Sequence, residues 1–217
     1  MVAQFPHTAR SIKLEGIISL GAKGNAPVTL MIYLSWDEAV RAEEFAETLL
    51  DRLIWRLPFR SGFRAHEVAD ARIEHIDPEQ EWIYIPHGHR NGARYACVDK
   101  ETLRLLVIYV GSRKKGPLLI RYDMRPISRH IVYYSVTSTA EKACLVKAKR
   151  VGPLMLRHTF ATTWLKRRGN IRLLQKQLGH SKLESTAYYL DWMPEEVREE
   201  YGSLFNQREE IATVIAS

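Results

Sequence analysis

Leu156-Arg157-His158-Thr159-Phe160-Ala161-Thr162 opens a helical pattern. Through Arg168 it sets Phe160, Ala161, Trp164 and Leu165 at helical spacing before Gly169. Working outward, Ile171, Leu174 and Leu178 repeat that spacing until Gly179, a residue suited to closing a helix, and His180 follows at once. Ser181 with Glu184 reads as a capping box that starts a helix bearing Tyr188 and Tyr189, and Pro194 is placed to open a last acidic helix, Glu195 to Tyr201. On the N-terminal side, Ser128 can cap a helix to about Lys147, and Asp99 another to about Gly111. Before these, Trp82 to Pro86 and Arg94 to Val98 are β-rich runs joined by His87-Gly88-His89-Arg90-Asn91-Gly92-Ala93, a hairpin with a basic tip. Ala65 to Ala71 reads as a short helix, and Ser35-Trp36-Asp37-Glu38 as a capping box opening a helix to about Trp55. Residues 1 to 32 hold Gly16, Gly21, Gly24 and Pro27 without a sustained period and form an irregular lead-in, with a short strand around Val28 to Tyr33. The fold class is α+β, mainly α, with one small antiparallel sheet.

Composition bounds the function. The chain has 217 residues, 32 Lys+Arg against 25 Asp+Glu and a net charge of +7. Its 46% hydrophobic content is that of an ordinary globular chain. No window approaches the ~20 apolar residues of a membrane helix, and no signal peptide precedes the fold, so a cytoplasmic protein is expected. Cys97 and Cys144 offer neither a zinc ribbon nor a disulfide framework. From His87 to Arg168 there are 18 basic residues and four acidic ones, whereas the rest of the chain has 14 and 21. That segregation suits a surface that collects phosphates, and nucleic acid becomes the leading partner. On charge alone, a solvated basic face is an equal reading.

Four stretches together resemble the tyrosine recombinases, the phage-integrase family. Ser61-Gly62-Phe63-Arg64-Ala65-His66-Glu67-Val68 is similar to its first arginine box, and Leu156 to Thr162 matches its second. Leu178-Gly179-His180 matches a third, and Tyr189 lies nine residues after His180, where the family places its nucleophile. Taken singly, each of these residues has a plainer use: an Arg in a surface ion pair, a His as a cap donor, a Tyr in half-buried packing. The ordered set is far more specific than any member of it. The resemblance implies a catalytic domain over residues 33–190 and an acidic segment, 191–217, passed to a neighbouring protomer in a dimer or tetramer on double-stranded DNA.

The implied chemistry follows from the residue types. Cleaving a phosphodiester and later rejoining it without a cofactor or metal needs a nucleophile that stays attached, and a tyrosine hydroxyl serves. Charge develops on the non-bridging oxygens, and guanidinium forks bind them bidentately while staying protonated. Arg64, Arg157, His180 and Tyr189 are the residues carried over, with a covalent 3′-phosphotyrosyl intermediate. Tyr188 reads as core, and His158 as a structural part of its helix.

Two positions depart from the family pattern. Its second box usually begins with a histidine three residues before the arginine, and Leu154 stands there. Its hairpin lysine, which protonates the departing 5′ oxygen, has no counterpart, since no lysine lies between Arg64 and Lys100. His89 occupies that place, with His87 and Arg90 beside it, and a nearby phosphate would hold a proton on its imidazole. These departures keep two other readings open: a DNA-binding regulator or remnant without chemistry, and a topoisomerase-like nicking-closing enzyme. Residues 1–32 are too short for the helical clamp domain common in the family. Recognition is then expected to rest on phosphate contacts from Arg113-Lys114-Lys115 and Lys147 to Arg150.

Overall fold

A computed structural model describes residues 33–86, 93–145 and 148–189. The lead-in 1–32, the hairpin tip with His87, His89 and Arg90, Lys147, and the tail from 190 onward lie outside the described residues. Eight helices are described: α1 (Trp36–Glu43), α2 (Leu49–Ser61), α3 (Ala65–Asp70), α4 (Lys100–Val110), α5 (Arg129–Lys142), α6 (Pro153–Lys166), α7 (Ile171–Leu178) and α8 (Glu184–Ala187). Strands β1 (Ile76–Asp77), β2 (Trp82–Ile85) and β3 (Arg94–Cys97) form one antiparallel sheet in that order. The expected class, mainly helical with a small antiparallel sheet, is the one observed. The hairpin pairs Ile85 with Arg94 and Trp82 with Cys97, and β1 adds a two-residue edge that no alternation in the sequence announced.

Several element boundaries differ from expectation. The Ser35 capping box forms, with Ser35 N–H on Glu38 Oε2 at 2.8 Å. The helix it opens ends at Glu43, because Thr48 Oγ1 accepts the Asp51 N–H at 3.0 Å and starts a new helix instead of continuing the old one. α6 begins four residues before Arg157, with Pro153 in its first turn, where a missing N–H costs nothing. Arg157 is therefore held inside the helix, not at its start. α5 stops at Lys142, short of Lys147. The last described helix is capped at Leu183 and not at Ser181: Leu183 makes no side-chain cap bond, and the backbone donors of Thr186 and Ala187 go to its carbonyl.

α2 buries Leu53, Ile54, Trp55, Leu57 and Phe59 completely. It packs on α4, α5 and α6 and so forms the axis of the main core. A second, smaller core cluster joins Tyr33, Phe160, Ala161 and Leu165 to Leu174, Leu178 and Tyr189. The candidate site lies where the two cores meet. No helix among the described residues is long and apolar enough to cross a membrane.

Candidate active site

Gly62 closes α2 in the left-handed conformation at φ 72°, where a β-carbon would sit 2.7 Å from Leu178 Cδ2. The chain turns there into Arg64, which caps α3. The Arg64 N–H donates to Glu67 Oε2 at 2.8 Å, while its guanidinium Nη1 lies 3.7 Å from Glu67 Oε1, too far for a hydrogen bond. That Nη1 is shielded from solvent and has no hydrogen-bond partner.

Arg157 is 1% exposed. Its Nη1 donates to Gly62 O at 2.6 Å and its Nη2 to Leu178 O at 2.8 Å, so one guanidinium ties the ends of α2 and α7 to α6. Nη2 also reaches His180 Nε2 at 3.0 Å. Burial, and then the like charge of Arg64, push the Arg157 guanidinium down to about 10, which leaves it protonated at neutral pH.

Residues 64 and 157 meet on Glu67. This carboxylate is wholly buried and receives both Nη1 (2.6 Å) and Nη2 (2.8 Å) of Arg94, with Arg157 Nη1 at 3.8 Å. Burial pushes the Glu67 carboxyl up, but the hydrogen bonds and charge of Arg94, the Arg64 N–H and the Arg157 charge outweigh it, so it lies below the usual carboxylate range. Arg94 also donates through Nε to Gln177 O at 2.9 Å, and Gln177 bonds Ser61 O and both backbone groups of Cys97. Sheet, α2 and α7 are thereby locked behind the two arginines.

His180 follows the left-handed cap Gly179 (φ 67°). Arg157 can only donate, so His180 Nε2 accepts, and its Nδ1 carries the proton and donates to Thr186 Oγ1 at 2.9 Å. Burial, then Arg157 and Arg64, push His180 down to about 3 and keep it neutral. Its ring lies parallel to that of Tyr189, centroids 6.5 Å apart.

The tyrosine pair is the reverse of the expectation. Tyr189 is 3% exposed, its ring set in the second core cluster, whereas Tyr188 at the end of α8 is 39% exposed. Tyr189 Oη lies 3.0 Å from His158 Nδ1. Burial raises the Tyr189 phenol above its ordinary value, against the lowering charges of Arg157 and Arg64. His158 is pushed down to about 4 by burial and by Arg157.

Arg64 and Arg157 line one cavity of about 460 Å³, with Leu154 on its wall and Arg129, His130 and Tyr133 from the start of α5 opposite. The structure thus brings together Arg64, Arg157, His180 and Tyr189; His89 lies outside the described residues. Arg113 does not serve as a free phosphate contact, because its guanidinium staples Pro117 O (2.8 Å) and Leu118 O (3.1 Å) and lies over Tyr109. The supporting residues Glu67, Arg94, Gln177 and Thr186 were not singled out by the sequence, although Glu67 stands in the first box. No cluster of metal-ligating side chains is found among the described residues.

A mainly helical domain that gathers two arginines, a histidine and a tyrosine in this order has the architecture of a tyrosine recombinase catalytic domain. Residues 33–196 match the phage integrase family, and the chain belongs to that family. It is similar to tyrosine recombinase XerA of Pyrococcus horikoshii, 29% identical over 195 residues, which cover 86% of this chain and 67% of that protein. Tyrosine recombinase XerC of Listeria innocua is 30% identical over 163 residues, 71% of this chain and 53% of that one. The chain thus spans about half to two thirds of the length of these relatives. Among solved structures, that of XerA recombinase has a TM-score of 0.70 at 26% identity, covering 82% of this chain and 67% of that one. XerH site-specific recombinase, bound to a palindromic difH substrate after cleavage, has a TM-score of 0.65 at 21% identity, with 80% and 53% covered, and shares the fold.

Proposed function

We propose that this chain cleaves and rejoins DNA strands at a specific site, Tyr189 attacking the scissile phosphate to give a 3′-phosphotyrosyl intermediate. The observation that carries the reading is the buried Nη1 of Arg64, which makes no hydrogen bond, in the cavity that Arg157 also lines, with the charges of both arginines acting on Tyr189. A buried donor left without an acceptor is costly unless a ligand supplies one, and a non-bridging phosphate oxygen fits a fork of two guanidiniums. His180 completes the clamp once its Nε2 turns from Arg157 to the phosphate. The domain responsible is residues 33–190. Exchange of strands needs at least two duplexes, so assembly as a dimer or tetramer on double-stranded DNA is part of the proposal. His89 is proposed as the acid that protonates the departing 5′ oxygen. A silent DNA-binding remnant is not favoured, since the relatives are recombinases.

The test is covalent capture. The 217-residue chain is incubated with a pool of nicked duplexes of randomised sequence, from which the strand released by cleavage diffuses away. Denaturing gels should show a protein–DNA adduct that is lost in Tyr189→Phe and enriched for one sequence. Absence of any adduct from a folded protein would overturn the reading. On the recovered sequence, His89→Ala should slow cleavage by about 10²–10⁴ and recover on a 5′-bridging phosphorothiolate, whose leaving group needs no proton.

A further inference from the structure

Leu154 leaves the phenol without the histidine that the family resemblance puts at that position, and it stands 56% exposed on the cavity wall with no group able to exchange a proton. The nucleophile nevertheless has a nitrogen beside it. His158 Nδ1 lies 3.0 Å from Tyr189 Oη, their ring centroids 5.7 Å apart, across the junction between α6 and the end of α8. Resting on the reading of Tyr189 as nucleophile, we propose that His158 is a catalytic residue that accepts the phenolic proton through Nδ1 as Tyr189 attacks the phosphate.

The surroundings fix the direction of that bond. The charged groups acting on the Tyr189 hydroxyl are the guanidiniums of Arg157 and Arg64, which only donate. Both nitrogens of the neighbouring His180 are engaged, Nε2 by Arg157 and Nδ1 by Thr186. The phenolic proton is thus directed at the one acceptor in contact with it among the described residues, His158 Nδ1, and the His158 proton sits on Nε2. His158 is one residue past Arg157 on α6, so the helix that grips the phosphate also carries the base. In the free protein its basicity is held down by burial and by the Arg157 charge. A phosphodiester on Arg157 would neutralise that charge, and the base would strengthen when substrate is in place.

The step balances without a co-reactant. The Tyr189 O–H bond breaks, its proton moves to His158 Nδ1, the phenolic oxygen bonds to phosphorus, and the bond from phosphorus to the 5′ oxygen breaks as that oxygen takes a proton from the acid on the hairpin. In rejoining, the 5′ hydroxyl attacks, phosphorus releases the phenol, and His158 returns the proton to it.

Two measurements test this. In the free protein, ¹⁵N NMR of the histidines at neutral pH should show His158 Nδ1 unprotonated and Nε2 protonated, with Nδ1 shifting in Tyr189→Phe; a proton on Nδ1 would overturn the acceptor role whether or not the chain cleaves DNA. On the captured duplex, His158→Asn places an amide oxygen near the Nδ1 position and keeps the hydrogen bond but takes no proton. Single-turnover adduct formation should fall by about 10²–10⁴ at neutral pH. The wild-type rate should be level above neutrality, and that of His158→Asn should climb about tenfold per pH unit as hydroxide replaces the lost base. An Asn variant with the wild-type rate and profile would leave His158 a packing residue, while the loss of adduct in Tyr189→Phe would still stand for the nucleophile. Should His158→Asn fail to fold, the NMR arm on the wild-type chain decides the matter.

Discussion

Arg157 Nη2 donates to His180 Nε2 at 3.0 Å, so in the free site two of the groups proposed to bind the phosphate hold each other. The same Nη2 also holds Leu178 O at 2.8 Å. An incoming phosphate oxygen must therefore displace the His180 contact while the backbone bonds keep the guanidinium in place. For His180 to donate afterwards, its proton must move from Nδ1 to Nε2, and Thr186 Oγ1 is the group that then donates to Nδ1.

Thr186→Val removes that exchange of roles at a fully buried position. Losing one such hydrogen bond, worth about 1 kcal/mol, should slow adduct formation by about fivefold to tenfold with little change in DNA affinity. Thr186→Ser should restore the rate. Equal rates in all three proteins would remove the hydroxyl from the mechanism.

Glu67→Gln takes the negative charge from a site shared by Arg64, Arg94 and Arg157. Breaking a buried pair from one side costs about 3–5 kcal/mol, and urea unfolding should show a loss of that order. A loss below about 1 kcal/mol would mean that the arginines find other partners.

Gly179 combines a φ of 67° with close backing, since a β-carbon there would lie 2.7 Å from Arg94 Cδ. Arg94 cannot yield, because Glu67 and Gln177 O hold its guanidinium. Gly179→Ala should destabilise the fold by about 2 kcal/mol or more and displace His180. A melting temperature and cleavage rate equal to those of the wild type would contradict this.

Acid should weaken the protein in two stages. His158 at about 4 and His180 at about 3 both lie below their ordinary 6.5, so the unfolded chain binds these protons first. The stability they contribute is present above pH 6.5 and is lost as pH falls through their folded values. Glu67, lowered below 4.5, adds its loss further down. Urea midpoints should fall from about pH 7 to about pH 4, and His158→Asn should remove up to about 1.4 kcal/mol per pH unit of that slope. A midpoint level over this range would show that neither histidine is buried neutral.

What the sequence disclosed was whatever is written in local spacing. The periodic runs of α6 and α7, the two β-rich runs at Trp82 and Arg94 and the Ser35 cap are short-range patterns, and they reappear in the fold. The break at Thr48 was hidden because a side-chain cap competes with a helix that the periodicity alone would continue. β1 was hidden because two residues carry no alternation. In the site, the residues proposed to touch phosphate are recognisable by type. Their supports depend on pairings across the fold, such as Arg94 with Glu67, 27 residues away, and Gln177 with Ser61, 116 away. Tyr188 and Tyr189 share a type and differ only in which of them, just past the end of α8, turns into the second core cluster.

The single carboxylate beneath the three guanidiniums leaves this corner of the molecule about two positive charges in surplus when nothing is bound. Such a surplus is stored repulsion, and a tetrahedral oxyanion entering it would relieve it, so under the proposed function the nucleic acid backbone would act as the missing counter-ion. Thermal resistance measured in dilute, anion-poor buffer will then understate what the protein has in use, and tight folding of the empty form and tight grip on the strand stand on opposite pans of one balance.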